Sequence, residues 1–273
     1  MGVKWGETVM NDSRTGGNPF PMISTTSSTT QPVDSAAIRF GGWWWPKRRK
    51  NDGGVTYNRD THHCELRGNV NADTLTLKAD TEEVDVMRGA RVCGTLRTPL
   101  AVNVAVQNGA KTEDIESGGS VWVNQAEVRD VSAHTYAWIS GWARDVTAEG
   151  NAYVFGPARH VKAGRNGLVT GRVESVTAGG SLVVSPDGEV PGKATAGVAA
   201  KLSGRVADVV MTGNKALAIL GSRWRLPANV HFEQSGGRLI LPEGLAADQF
   251  DRSILSGEKP TLYLPKRSAK AAG

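Results

Sequence analysis

The sequence predicts an all-β fold, a single-chain β-solenoid (β-helix) with coils of about fifteen residues. Two short phrases recur at this interval in the middle of the chain. The first alternates apolar and polar residues and ends at a turn; its copies are Tyr136–Gly141, Asn151–Gly156, Asn166–Gly171 and Ser181–Pro186. The second lies between them; its copies are Val128–Ala133, Ala143–Ala148, Ala158–Ala163 and Val173–Ala178. Two extended segments per fixed period are typical of stacked coils that bury their apolar sides against one another.

Composition agrees with this fold and limits the function. The chain has 33 glycines without a collagen-like triplet, which suits a tight turn in every coil. The net charge of +5 is mild, and much of the excess lies in Lys47–Lys50 and around Lys266. A basic flank on a nearly neutral body argues against a dedicated nucleic-acid-binding protein.

The chain divides into three parts. Residues 1–53 contain the polar run Ser24–Thr30 and end in a tryptophan and basic cluster, so we expect a flexible segment. Residues 54–265 carry the alternating patterns and form the solenoid, with a terminal cap near its end and roughly a dozen coils about 4.8 Å apart. Residues 266–273 form a short basic, disordered tail. Between Pro186 and Gly221 the step exceeds fifteen residues, which predicts loops, one of them over Pro186–Pro191.

Stacked coils turn equivalent positions into rows on a surface. Three rows are uniformly apolar or small and are predicted to be core or to mark a bend in the wall. They are Ile139, Val154, Val169, Val184, Leu202 and Ile219; Val131, Val146, Val161 and Val176; and Ala133, Ala148, Ala163 and Ala178.

The intervening row is the predicted binding surface. Alternation points Trp138, Tyr153, Leu168 and Val183 outward. Aromatic and apolar side chains on one face suit a partner protein, a second copy of the chain or a polysaccharide. Two alternatives stay open: the N-terminal segment or a loop covers this face, or the alternation is inverted.

A polar row resembles a nucleophile triad in its order. Asp145, His160 and Ser175 occupy equivalent positions in successive coils. No strained elbow or oxyanion hole accompanies the serine, so the favoured interpretation is an external polar ladder. In that ladder Arg129, Arg144 and Arg159 pair with the carboxylates, and no catalytic residue is expected.

The tryptophan and basic cluster permits three interpretations. It consists of Trp43, Trp44, Trp45, Lys47, Arg48, Arg49 and Lys50. Indoles and cations together suit the surface of an acidic membrane or unpaired bases. The favoured alternative is a cap over the apolar end of the solenoid.

No cofactor and no metal site are expected. Cys64 and Cys93 form no CxxC motif and are predicted to be two buried thiols rather than a pair. His62-His63-Cys64 resembles half a metal site without a matching cluster elsewhere.

No apolar run approaches the ~20 residues that span a bilayer, and no Sec signal is recognisable. We therefore expect a virion or cell-surface location or leaderless secretion rather than the cytoplasm.

The two phrases, Val-x-x-Val-x-Ala and Ala-x-Val-x-Gly, resemble short-repeat β-solenoid proteins of bacteria and phages. That group includes bactofilin-like scaffolds and surface or tail components. The resemblance covers about residues 66–245 and carries over no functional residue. Coils without long loops build no enclosed site that excludes water, so we expect a non-enzymatic, rod-like structural or adhesive protein that presents a contact face to a protein, polymer or surface. The alternatives are a leaderless secreted effector that binds a host partner and a carbohydrate-active β-helix enzyme.

Overall fold

A computed structural model describes residues 54–73, 75, 77–221, 227–246 and 248–264 of the chain. All of them belong to one compact unit, residues 31–273. This described part is all-β, with 60% of its residues in strands, and forms a parallel β-solenoid of about 10 turns. The predicted fold class is therefore confirmed, with somewhat fewer coils than expected. The predicted flexible segment 1–53 and the tail 266–273 lie outside the described residues.

The solenoid wall consists of two parallel sheets, and each coil contributes one strand to each sheet. The 13-stranded sheet contains, in spatial order, β1 (Gly54–Asn58), β2 (His63–Arg67), β4 (Glu83–Val86), β6 (Asn103–Val106), β8 (Val121–Val123), β10 (Tyr136–Ile139), β12 (Asn151–Val154), β14 (Gly167–Val169), β16 (Ser181–Val184), β18 (Ala199–Leu202), β20 (Leu217–Leu220), β22 (Arg238–Ile240) and β24 (Thr261–Tyr263).

The 11-stranded sheet lies on the other side of the core. In chain order it contains β3 (Asn69–Asn71), β5 (Arg91–Leu100), β7 (Lys111–Gly118), β9 (Glu127–Ala133), β11 (Trp142–Ala148), β13 (Ala158–Ala163), β15 (Val173–Ala178), β17 (Glu189–Ala196), β19 (Arg205–Met211), β21 (Asn229–Phe232) and β23 (Leu255–Gly257). A short 3₁₀ helix, Arg252–Ile254, precedes β23.

The interior is one continuous apolar cluster, formed by the inward-pointing residues of both sheets. Val154 and Val169 are fully buried, as are their neighbours Val146 and Val176 on the opposite sheet. β-branched side chains suit these positions because they pack well on a pleated, half-buried surface. The core rows predicted from the sequence are confirmed, with one exception.

The exception is Ile219. In the ladder, Leu202 pairs with Leu220, whereas Ile219 pairs with the outward residue Lys201. Leu220 is buried and Ile219 is partly exposed. In the preceding coils the core residue lies two positions before the turn glycine, and Ile219 was predicted by the same count from Gly221. The step from β18 to β20 is eighteen residues, however, so the buried residue of this coil lies one position later, at Leu220.

Turns between coils depend on close stacking of the backbone. Each of Gly141, Gly156 and Gly171 lies over the backbone of the preceding coil, and a Cβ on Gly156 would collide with the carbonyl oxygen of Gly141. The backbone at these three positions has no positive φ, so glycine is required here for space rather than for conformation.

A ladder of side-chain amides stabilises another corner. The Asn151 Oδ1 accepts hydrogen bonds from the Asn166 backbone N–H at 3.2 Å and from its Nδ2 at 3.1 Å. The Asn166 Oδ1 accepts from the backbone N–H of Ser181 at 3.0 Å. Each asparagine thus satisfies backbone donors that the turn would otherwise leave unpaired.

The coil after Pro186 corrects a second expectation. A turn occurs at Pro186 and Asp187, but β17 begins already at Glu189. One further extra residue forms an irregularity between Val190 and Lys193 inside this strand rather than part of a loop. A bulge of this kind absorbs an insertion while the ladder continues on both sides. The extra residues of the next coil lie, as expected, in a longer connection at residues 212–216 between β19 and β20.

Both ends of the 13-stranded sheet are formed by short strands. β1 pairs antiparallel with β2 and buries Tyr57 against the core, so it closes the first edge. At the other end β24 pairs with β22, in the region where the sequence analysis expects a terminal cap. In the described part of the chain, no helix is long and apolar enough to cross a membrane.

The two cysteines are free thiols in different environments. Cys64 is buried, as predicted, and burial raises the pKa of its thiol to about 12. Cys93 is exposed, which corrects the prediction of two buried thiols. Cys93 directly follows the buried Val92 in β5, so the alternation itself places its side chain on the outer face.

Alanine substitution at two leucines tests which side of the sheet faces inward. Leu202 is 0% exposed, and we expect Leu202→Ala to lower the free energy of unfolding by roughly 2–5 kcal/mol. Leu168 lies on the outer face, so Leu168→Ala should cost about 1 kcal/mol or less. Urea unfolding followed by circular dichroism measures both variants. Equal losses would contradict the assignment of faces.

Thiol titration tests the two cysteine environments. At pH 8 only the thiolate reacts, so the native protein should release about one equivalent of thionitrobenzoate from Ellman's reagent, through Cys93. In 6 M guanidinium chloride, a standard denaturing concentration, about two equivalents are expected. A Cys93→Ser variant serves as the control and should be unreactive while folded. Rapid native reaction of Cys64 would show that this part of the core is wrong.

Candidate functional site

The predicted binding row lies on the outer face of the 13-stranded sheet. Trp138, Tyr153, Leu168 and Val183 are register partners in four adjacent strands, and all four are partly exposed. Their sequence neighbours, such as Ala137 and Ile139, are fully buried. The alternation predicted from the sequence is therefore the one that the structure has.

The structure adds aromatic residues that the sequence pattern missed. Trp122 is the register partner of Trp138 in the preceding coil, sixteen residues earlier rather than fifteen. Tyr136 packs edge-on against Trp122 at a ring-centroid distance of 5.2 Å. Phe155 follows the strand that carries Tyr153 and packs against Trp138 at 4.5 Å. We call these residues together the outer aromatic surface: Trp122, Tyr136, Trp138, Tyr153, Phe155, Leu168 and Val183.

Rings of the outer aromatic surface contact one another along the solenoid axis. The Trp138 and Tyr153 rings lie 5.6 Å apart with an interplanar angle of 44°. The Trp138 and Phe155 rings are more nearly parallel, at 34°. The Asn151 Nδ2 donates a hydrogen bond to the Tyr153 Oη at 3.2 Å, which holds that ring in place. The surface is thus preorganised by contacts within the chain.

The same outer face is acidic at its beginning. Glu65 and Asp85 are register partners on β2 and β4, and Glu83 lies two residues before Asp85. His63 bridges this group: its Nδ1 lies 3.2 Å from Asp85 Oδ2 and its Nε2 lies 3.5 Å from Glu83 Oε2. We call Glu65, Glu83 and Asp85 the acidic end of the face.

Burial makes two residues of the acidic end, Glu83 and Asp85, costly to ionise. Burial raises the pKa of Asp85 and of Glu83, and proximity of the two carboxyl groups adds to the effect on Glu83. Asp85 receives partial compensation from His63 and from the nearby Gln107 amide. Its Oδ1 is nevertheless buried without a hydrogen bond of normal geometry among the described residues. A nearby cation would stabilise the charged form of this group.

The predicted triad row lies on the 11-stranded sheet and is only partly connected. Asp145, His160 and Ser175 are register partners, as the sequence predicted. The His160 Nδ1 and the Ser175 Oγ are 2.7 Å apart. Asp145 makes its described contact with Arg144, at 3.3 Å between Oδ2 and Nε, and its Oδ1 has no hydrogen-bond partner within the described part. The aspartate therefore does not orient the histidine.

Stacking explains why the triad is incomplete. Parallel strands place the three side chains side by side, about 4.8 Å apart, instead of converging on one point. A triad needs the base to contact its carboxylate through one ring nitrogen and the nucleophile through the other. The three residues line a surface depression of about 250 Å³ together with Thr147, Lys162 and Thr177. The arrangement is a polar ladder on an outer surface.

The arginines beside this row form a staircase of ion pairs. Arg129 pairs with Asp114 and Arg144 with Asp130, each one coil earlier, with Nε–Oδ1 distances of 2.8 Å and 2.9 Å. The Arg129 hydrogen bond holds the pKa of Asp114 below its usual value. Exposed pairs of this kind contribute about 0–1 kcal/mol each. The arginines of these pairs mainly neutralise the charge of the carboxylates on the outer surface of the 11-stranded sheet.

The staircase ends at Arg159, which corrects part of the predicted ladder. Arg159 lies 3.6 Å from Glu174, one coil later, instead of pairing back to Asp145. His62-His63-Cys64, which resembles half a metal site in the sequence, stays a resemblance. Among the residues that the structure describes, no group of three or more His, Cys, Asp or Glu side chains could hold a metal ion. The tryptophan and basic cluster, residues 43–50, lies outside the described residues.

Comparison of the chain with protein-family models, with curated proteins and with solved structures found no match. Inference about function therefore depends on the geometry of the faces described above.

Removal of the serine hydroxyl tests the polar-ladder interpretation. Ser175→Ala loses one exposed hydrogen bond, so we expect a loss of about 0–1 kcal/mol in the free energy of unfolding. The rate of p-nitrophenyl acetate hydrolysis should not change, because Asp145 does not orient His160. Thr177→Ala, in the same strand, is the matched control. A drop in esterase rate for Ser175→Ala and His160→Ala, but not for Thr177→Ala, would restore the catalytic alternative.

Proposed function

We propose that this chain is a non-enzymatic interaction protein of the structural or adhesive class, and that it binds a partner protein through the outer aromatic surface. The observation that carries the proposal is the continuity of this surface. Aromatic and aliphatic side chains occupy register-equivalent, partly exposed positions in five adjacent strands, from Trp122 to Val183. Contiguous exposed apolar patches on folded proteins commonly mark contact sites.

The difference between the two sheets supports the proposal. On the 11-stranded sheet the outward row that runs over the same coils is polar and exposed; its members are Ser132, Thr147, Lys162 and Thr177. Both sheets use the same coil geometry and cover the same core. The solenoid therefore imposes no need for a row of outward aromatic residues. Trp142, in β11 of the 11-stranded sheet, is also exposed, but its register partner in the preceding coil is Glu127, so it forms no aromatic row there. A contact at the outer aromatic surface explains why aromatic side chains follow one another from strand to strand on that face.

The arrangement of the rings favours a protein over a polysaccharide. A sugar ring binds best on a broad, open aromatic face. Here the Trp138 ring packs against both Tyr153 and Phe155, and the Trp122 ring packs against Tyr136. Ring clusters continued by aliphatic residues such as Leu168 and Val183 resemble the centres of protein interfaces, where Trp and Tyr contribute most of the binding energy.

Site-specific photo-crosslinking in cells that naturally express the chain tests the proposal. A photoreactive phenylalanine analogue replaces Tyr153 on the outer aromatic surface or, as the matched control, Thr147 on the opposite sheet. We expect a discrete protein adduct from position 153 and none from position 147. An adduct pattern that is the same at both positions would contradict the proposal, as would adducts at position 153 that consist of glycan.

A Trp138→Ala substitution in the same experiment measures the contribution of the rings. Loss of one central Trp from an interface typically weakens binding by 2 kcal/mol or more, which is about thirtyfold. The adduct from position 153 should fall accordingly, while the unfolding midpoint changes little because Trp138 lies on the outer face. An unchanged adduct would place the contact elsewhere.

A further inference from the structure

The outer face of the 13-stranded sheet changes its chemistry in a definite order from its first strand. β1 begins at Gly54, and the acidic end follows on β2 and β4. The aromatic residues follow on β8, β10 and β12, and the aliphatic residues on β14 and β16. A ligand that lies along this face from β1 would meet carboxylates first and aromatic rings second.

The acidic end lacks a full set of counter-charges in the described part of the chain. Glu65 pairs with Arg67, at 2.7 Å between Oε2 and Nη2. Glu83 and Asp85 share His63 as their described ionic partner. Two neighbouring carboxylates that share one imidazole attract further positive charge, and Asp85 has a buried oxygen without a hydrogen bond of normal geometry.

The chain that precedes Gly54 has the complementary chemistry in the complementary order. Going back from Gly54, three residues that include Asp52 are followed by the basic residues Lys50 to Lys47 and then, beyond Pro46, by the tryptophans Trp45 to Trp43. At about 3.3 Å per extended residue, Lys50 reaches up to about 13 Å from Gly54 and Trp45 up to about 30 Å. At about 4.8 Å per strand, β4 lies about 10 Å from β1 and β10 about 24 Å. The lengths match.

We infer that residues 43–50 of this chain dock on the outer face of its own 13-stranded sheet. Lys47–Lys50 lie against the acidic end, and Trp43–Trp45 lie against the outer aromatic surface. The occupant is a tethered segment, so its effective concentration at the face is high and modest contacts suffice to hold it. Charge fixes the position of the segment, and ring contacts provide most of the binding energy.

This docking has a regulatory consequence that rests on the proposed function. A segment on the outer aromatic surface occupies the same rings that the partner protein would use. The partner must then displace the segment, and its apparent affinity is reduced by the fraction of chains whose face is uncovered. The docking itself does not depend on the identity, or the existence, of the partner.

Zero-length cross-linking of the purified full chain with a carbodiimide tests the docking. The reagent joins a lysine amine to a carboxylate in contact with it. Lys111 and Glu127, 2.7 Å apart on the 11-stranded sheet, provide an internal positive control. We expect mass spectrometry to find links from Lys47 or Lys50 to Glu65 or Glu83 in addition to the control link. Formation of the Lys111–Glu127 link without any link from Lys47 or Lys50 to the acidic end would overturn the proposal.

Two variants and isotope mixing separate the alternatives. The double variant Glu65→Gln with Glu83→Gln removes the reacting carboxylates and so confirms the assignment of the links. Asp85→Asn keeps both reacting carboxylates but removes the neighbouring charge, so it should lower the yield of the links, whereas Glu113→Gln on the opposite sheet should leave the yield unchanged. Ala at Trp43, Trp44 and Trp45 should lower the yield of the links several-fold. In a mixture of ¹⁴N and ¹⁵N chains the links should join residues of the same chain. Links between differently labelled chains would show that a second copy is the occupant and would overturn docking within one chain.

The docking and the proposed function fail separately. Carbodiimide links in the unmodified chain, with no partner adduct even when Trp43, Trp44 and Trp45 are replaced by Ala and the face is uncovered, would support docking and contradict the proposed function. A partner adduct without the carbodiimide links would do the reverse.

Discussion

Vertical register is the constraint on which the rest of this structure depends. Parallel strands in successive coils place equivalent residues directly over one another at about 4.8 Å, so each residue has its own counterpart as its nearest neighbour. Valine stacks on valine at Val146, Val161 and Val176. Glycine stacks on glycine at Gly141 and Gly156 because the coils approach so closely that no Cβ fits between them.

The same constraint explains how surfaces arise on this fold. A row that repeats one kind of side chain becomes a uniform stripe, and the stripe changes only where the sequence of the repeat changes. On one sheet the stripe is acidic, then aromatic, then aliphatic. On the other sheet arginines and aspartates alternate in a staircase that ends where His160 and Ser175 replace the aspartate. Side chains on such stripes run parallel, which favours extended contact surfaces over convergent catalytic sites.

The sequence predicted the fold and the central rows because the period is regular there. From Ile139 through Val184 each step is fifteen residues, so counting alone identifies register partners. The method fails where the step changes. Trp122 was missed because its step to Trp138 is sixteen residues, and Ile219 was misplaced because its coil is longer. Cys93 is exposed because it follows the inward Val92 in β5, an alternation that the prediction of two buried thiols did not take into account. The fifteen-residue period identifies register partners but does not predict contacts between different rows. Examples are the contact of Trp138 with Phe155 and the sharing of His63 by two carboxylates.

A pair of distances measured by double electron–electron resonance tests the register most directly. Nitroxides on Glu116 and Thr177 mark positions four coils apart in one exposed row, and Glu116 with Thr195 marks five coils. In a Cys93→Ser background, the account predicts narrow distributions near 19 Å and 24 Å, a difference of one coil although the last step is longer in sequence. Broad distributions, or a second distance that is not about 5 Å longer than the first, would contradict stacked coils in register.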